Sequence, residues 1–220
     1  MKQKIQIKHE EASKFWRALF TVLLLAFMML QSFKSSKDHH LKPSECIWDW
    51  IFVKTDNLNR HFLASLEDRN IMMAITAYFM DFVTIYYIFI WLYQDIKTTR
   101  PFIAVALFYA VRGYIQNKVL FGRPDGFNFF DPGWMSATVP YHDISDFYFS
   151  GHVGVLFLYT FEYYSVGYKT MSYLTVFIAF LEGLMLVITR AHFIIDFTTA
   201  IAFSFVLHRL GELLSHLTEV

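Results

Sequence analysis

Cysteine occurs once in this 220-residue chain, at Cys46, which excludes an internal disulfide and a cysteine metal cluster. Net charge is missing too. The 19 Lys and Arg residues balance 19 Asp and Glu, so the chain lacks the excess of base that a nucleic-acid surface needs. Its histidines form no His-x-x-x-His box of the kind membrane di-iron enzymes use, and no repeat or low-complexity tract is visible. Proline is scarce, and three of the five prolines fall within one short segment.

What is abundant is apolar. Hydrophobic residues make up 55% of the chain and aromatics 20%, with a mean hydropathy of +0.36, which marks an integral membrane protein. Hydrophobic runs at 15–32, 71–93, 101–121, 152–168, 170–189 and 192–214 each approach the roughly 20 residues that one crossing requires. The reading is all-α, a polytopic six-transmembrane-helix bundle. Residues 1–70 are expected to hold an amino-terminal anchor helix and a polar loop, and 71–220 the main membrane domain. Glu10 and Glu11 ahead of the first run fit neither a cleavable signal nor an acid-poor transit peptide, so that run is read as a retained anchor.

Two polar segments interrupt the pattern. Lys34 to Asn70 reads as a solvated loop or interfacial cap, with a short interfacial helix around Ile47-Trp48-Asp49-Trp50-Ile51-Phe52, where tryptophan favours the headgroup level. Gly122 to Ser150 contains Pro124, Pro132 and Pro140 among four aspartates, which is turn chemistry, and is expected to lie over the site as a lid. The remaining connections are short, so neighbouring helices are antiparallel. With six spans, the segments before the fourth and sixth helices share one membrane face. Lys2, Lys4, Lys8, Lys14, Arg17, Lys97, Arg100 and Lys169 fall on the other, which the positive-inside tendency makes cytosolic.

On that shared face stand Phe149-Ser150-Gly151-His152 and Arg190-Ala191-His192-Phe193-Ile194-Ile195-Asp196. Ionisable groups at the mouths of membrane helices are costly to keep, and this set matches the needs of phosphoryl transfer. The four-residue spacing puts His192 and Asp196 on one helical face, where the carboxylate fixes the imidazole tautomer of a nucleophilic histidine. His152 is positioned to act as general acid to the leaving alcohol. Ser150 and Gly151 let backbone approach a phosphate at a helix amino terminus, and Arg190, Arg112 and Arg123 are the candidate guanidinium partners. Asp81, an intramembrane acid, is a suspect by default and a candidate partner for Arg112. Glu162 and Glu182 are ambiguous, and His208 reads as a loop or interface residue.

Through these motifs, over residues 71 to 214, the chain resembles the type 2 phosphatidic acid phosphatase superfamily and its sphingomyelin synthase-like branch. The contexts Phe149-Ser150-Gly151-His152-Val153 and Thr189-Arg190-Ala191-His192 look most like plant-type phosphatidylcholine:diacylglycerol cholinephosphotransferases. The resemblance implies a six-helix bundle that moves a phosphocholine-type headgroup through a phosphohistidine intermediate, with no metal or other cofactor. It also implies phospholipid and diacylglycerol or ceramide-like lipid as partners, and an endomembrane location in the ER or Golgi, with the mitochondrial inner membrane as alternative. The phosphatase branch places a lysine seven residues before Arg-Pro, whereas here Arg123-Pro124 is preceded at that distance by Gln116, and Lys118 is two residues too close. Simple phosphate monoester hydrolysis is therefore disfavoured. Two alternatives stay open: a catalytically silent subunit of a larger membrane assembly that binds phospholipid, and a lipid phosphatase that differs only in using water as acceptor.

Overall fold

The computed structural model describes residues 48–93, 98–116, 118–119, 121–139, 141 and 147–218, with six further helical positions at 15, 16, 19, 22, 23 and 26. Among the described residues there are seven continuous helices and no strand: α1 (Trp50–Lys54), α2 (Asp56–Ala64), α3 (Leu66–Tyr93), α4 (Arg100–Gln116), α5 (Gly151–Ser165), α6 (Lys169–Ile188) and α7 (Ile194–Thr218). Cys46 and all but those six positions of the expected anchor at 15–32 lie outside the described residues.

Three helices are long and apolar enough to cross a membrane, Leu66–Tyr93, Lys169–Ile188 and Ile194–His216. That is fewer than six for two reasons: all but six positions of the first run fall outside the described residues, and α4 and α5 are short. With 17 and 15 residues, those two helices extend only about 25 and 22 Å. Helix α5 tolerates its shortness because it is the inner helix of the bundle, packed against α3, α4, α6 and α7. Small residues let the helices approach closely. A side chain at Gly154 would run into the Phe108 ring, and one at Gly211 would come within 3.0 Å of the Ala104 methyl.

Of the segment expected as a solvated loop or interfacial cap, the described part from residue 48 onward is folded onto the bundle. Helix α1 opens at Asp49, whose carboxylate accepts from the Ile51 N–H at 3.1 Å, and α1 and α2 both pack against α6. Asn59, buried on α2, donates to the Ile188 carbonyl at 2.7 Å and to the Gly126 carbonyl at 2.9 Å. Gly126 has a positive φ of 78°, and a Cβ there would overlap the Asn59 amide, so glycine is required on both counts. The lid-like segment contains no regular element among its described residues, and it is held down by side chains. Asn128 donates to the Phe62 carbonyl and accepts from Arg69, while its own N–H donates to the Thr189 carbonyl at 2.7 Å.

At the opposite end of the bundle, four helices converge on Glu162 of α5. Arg100 of α4 donates to its carboxylate at 2.9 Å, His208 of α7 pairs through Nδ1 at 2.9 Å, and Tyr87 of α3 donates at 3.2 Å. His208 is therefore buried at 4% exposure, a correction to its expected interfacial place. Its burial is matched by partners on both ring nitrogens, Glu162 at Nδ1 and the Ser165 hydroxyl at Nε2, 3.4 Å away. Removing one member of such a buried network leaves the others uncompensated. Glu162→Ala is expected to destabilise the protein by about 3–5 kcal/mol, read as a lowered thermal midpoint in detergent. Glu212→Ala, which breaks only the exposed pair with Arg209, is expected to leave that midpoint nearly unchanged.

Candidate active site

The turn between α6 and α7 carries the second histidine motif. Helix α6 ends in a Schellman arrangement, in which the Arg190 N–H donates to the Val187 carbonyl at 3.1 Å and the Ala191 N–H to the Leu186 carbonyl at 2.8 Å. The left-handed position usually taken by glycine in this motif is held by Arg190, at φ 58°. A non-glycine residue there is strained, by about 1–2 kcal/mol. The compensation lies in its side chain: Arg190 donates to the Thr55 hydroxyl at 3.1 Å and the Phe52 carbonyl at 2.7 Å, lies 4.2 Å from the Phe52 ring centroid, and faces Asp56 at 3.6 Å. Burial lowers its guanidinium pKa, opposed by Asp56 and Asp49. The guanidinium expected as a phosphate clamp is thus committed to the α1–α2 cap.

His192 precedes α7, so its spacing to Asp196 is not a helical-face pair. With Phe193 as the helix cap, Asp196 occupies the third helical position and one of its oxygens reaches back to two donors. Oδ2 accepts from the Phe193 N–H at 2.9 Å and pairs with His192 Nδ1 at 3.1 Å. The first contact is the reciprocal half of a capping box. Asp196 is fully buried and His192 is 4% exposed, so the pair sits in a low-dielectric setting. The free amino end of α7 is closed by Asp49, which accepts from the Ile194 N–H at 2.7 Å, and a single carboxylate thereby caps α1 and α7 together.

The first motif is built on the same plan. Phe149 is left-handed at φ 68°, Ser150 caps α5 by accepting from the Val153 N–H at 3.4 Å, and His152 follows in the first turn, half-buried, with its ring 5.9 Å from that of Phe129. Arg112 of α4 donates through Nε to the Phe149 carbonyl at 3.2 Å. A Cβ on Gly151 would lie 3.0 Å from that nitrogen and 3.1 Å from the guanidinium carbon, so the missing side chain is what admits Arg112 to this turn. Strained residues just before both histidines are the kind of backbone that a packed surround must hold in place.

The two motifs lie side by side. Val153, next to His152, and Phe197, next to Asp196, flank the same face of Gly183 at 3.7 and 3.6 Å from its Cβ position, and both belong to one buried cluster with Ala191. Asp81 is not the partner of Arg112 in this arrangement. Its carboxylate accepts from the Ser136 hydroxyl, the Ala137 and Thr138 N–H groups and, at 2.6 Å, the Thr138 hydroxyl, which pins the lid segment to α3. Arg123 lies in that segment with its guanidinium carbon 5.1 Å from the Phe127 ring centroid. Tyr141 donates to the Met73 carbonyl at 3.2 Å, and burial, then the Glu182 and Asp81 carboxyls, raise its phenol above the ordinary value.

A family model described as AtPDCT1/2 matches residues 48–213. The chain belongs to the AtPDCT1/2 family. No curated protein and no solved structure matches it. The AtPDCT1/2 match takes in every residue of both motifs and begins before residue 71, where the sequence resemblance starts, so it includes Asp49 and the α1–α2 cap. This family suggests a phosphocholine headgroup transferase, and with it a lipid substrate and a membrane setting.

Sequence reasoning missed Asp49, Asn59 and Asn128, since their partners lie 59 to 145 residues away. A signal was present at Asp49, an acid just ahead of an apolar helical stretch, but only for α1. Because Asp49 closes two helix ends, Asp49→Ala is expected to cost about 2 kcal/mol, whereas Asp49→Asn, which keeps an acceptor oxygen, is expected to recover most of it. Thermal midpoints of the two purified variants check this.

Proposed function

We propose that this AtPDCT1/2-family protein transfers a phosphocholine headgroup from phosphatidylcholine to diacylglycerol through a phosphohistidine intermediate. Its setting is a six-span bundle of the ER membrane, with residues 15–32 as the first span. The observation that carries the reading is the buried His192–Asp196 pair, held at 3.1 Å beside the Ser150-Gly151-His152 turn.

With Nδ1–H donating to Asp196, the Nε2 lone pair of His192 is the nucleophile. Nε2 attacks the phosphorus of the donor lipid, a P–N bond forms, and the P–O bond to the glycerol oxygen breaks. His152, protonated, gives its proton to the departing alkoxide, releasing diacylglycerol. In the second half the neutral His152 takes the proton of the acceptor hydroxyl, whose oxygen attacks phosphorus and breaks the P–N bond, and this restores His192. Asp196 stabilises the imidazolium character that develops on His192, much as the acid of a Ser-His-Asp triad does. Arg112, lying against Gly151 at the amino end of α5, covers the phosphoryl oxygens together with that helix dipole. Arg190 contributes at one remove, by tying the His192 turn to α1 and α2.

The test is headgroup transfer by purified protein in mixed micelles of labelled phosphatidylcholine and diacylglycerol. His192→Ala is expected to abolish transfer and, since it removes a buried partner of Asp196, to lower the thermal midpoint without unfolding the protein. Asp196→Asn, which keeps the cap acceptor but favours the wrong imidazole tautomer, is expected to lose about 10²–10⁴ in kcat. Acid-labile, base-stable label on the wild-type protein, absent in His192→Ala, identifies the intermediate. Release of free phosphocholine without transfer would make water the acceptor and the protein a phospholipase of type C chemistry. Folded wild type that neither transfers nor releases a headgroup would overturn the catalytic reading in favour of a structural lipid-binding subunit.

A further inference from the structure

Glu182 has no use in the scheme above, and its surroundings are unusual. It lies on α6 and is fully buried, and both carboxylate oxygens lack a hydrogen-bond partner among the described residues. The polar side chain facing it from α3 is Thr76, whose hydroxyl donates instead to the Met73 carbonyl at 3.1 Å. A buried acid with no donor is costly, and bundles keep such a group when something else supplies the countercharge.

The position of Glu182 says what that countercharge is. Its neighbour Gly183 packs against Val153 and Phe197, which adjoin His152 and Asp196, so Glu182 is on the α3 side of the same site. Burial, and after it the Glu182 carboxyl, raise the Tyr141 phenol, which places the acid in the neighbourhood of that ring; the ring lies 5.4 Å from Phe129, and Phe129 lies 5.9 Å from His152. An acid and two aromatic rings therefore lie near His152, and the acid makes no hydrogen bond among the described residues. A carboxylate repels phosphate, and it would bind a primary ammonium through hydrogen bonds. A quaternary ammonium needs none: it is held by charge and by ring faces.

We infer that Glu182, with Tyr141 and Phe129, seats the quaternary ammonium of the donor headgroup, and so sets selectivity for choline over uncharged headgroups. This rests on the headgroup-transfer reading for its role in turnover, but binding tests it separately. Choline chloride and inorganic phosphate are titrated against the purified, detergent-solubilised full chain as wild type, Glu182→Gln and Glu212→Ala. Choline is expected to bind wild type and Glu212→Ala alike and to bind Glu182→Gln at least about tenfold more weakly. Phosphate binding is expected to be undiminished in these variants and weakened in an Arg112→Ala variant. In the transfer assay, Glu182→Gln raises KM for phosphatidylcholine more than it lowers kcat, and Glu182→Asp restores part of the loss. If Glu182→Gln fails to fold, Tyr141→Leu must show the same selective loss of choline. Equal choline binding in a folded Glu182→Gln or Tyr141→Leu variant, or no binding by wild type, overturns the inference. Choline binding that needs Glu182 in a protein that transfers nothing would leave this seat standing and remove the enzyme reading alone.

Discussion

One carboxylate oxygen, Oδ2 of Asp196, accepts from the Phe193 N–H that starts α7 and from His192 just before it. A helix end in an apolar bundle has no water to satisfy its first N–H groups, so a side chain must do it. Here the group that closes the helix also fixes the imidazole. Helix end and histidine thus share one acceptor atom, so the cap that holds Asp196 in place also places the oxygen that orients the ring. Everything around it serves to keep that end in place: Asp49 takes the next N–H, Arg190 ties the preceding turn to α1 and α2, and the Asn59 and Asn128 amides bind the carbonyls at the end of α6.

The far end of the bundle is fastened by the opposite device. Glu162, Arg100, His208 and Tyr87 bring α5, α4, α7 and α3 together in one ionic knot, whereas the site end is fastened by caps and by backbone carbonyls. The contrast has a use. An ionic knot at one end of the bundle holds α5 and α7 together, and their amino ends at the other carry the two histidine motifs. Asp81 completes the enclosure by gathering four donors from the lid segment, which spends an intramembrane charge on architecture.

Much of this was legible. The apolar runs located α3 to α7 within a few residues, because burial in a bundle demands unbroken hydrophobicity, and the two histidine strings stood out because ionisable groups are rare there. Legibility failed where a residue's meaning depends on a distant partner. Arg190 read as a phosphate clamp from its nearness to His192, and its guanidinium turned out to close on Phe52 and Thr55, more than 130 residues away. His208 read as interfacial because nothing local pairs with it, and its partner Glu162 lies 46 residues off.

Composition and spacing by themselves determined an all-helical protein with apolar helices that fit a membrane and two histidine motifs each ahead of such a helix, since hydrophobic length is local and additive. Tertiary structure alone decided which partner each charge meets. It set Arg112 against the Ser150-Gly151-His152 turn, Arg190 against α1 and α2 and Asp81 against the lid segment, and left Glu182 buried with no hydrogen-bond donor among the described residues. The reason is physical: in a low-dielectric bundle a charge takes its role from the partner it is packed against, and chain folding, not sequence proximity, chooses that partner.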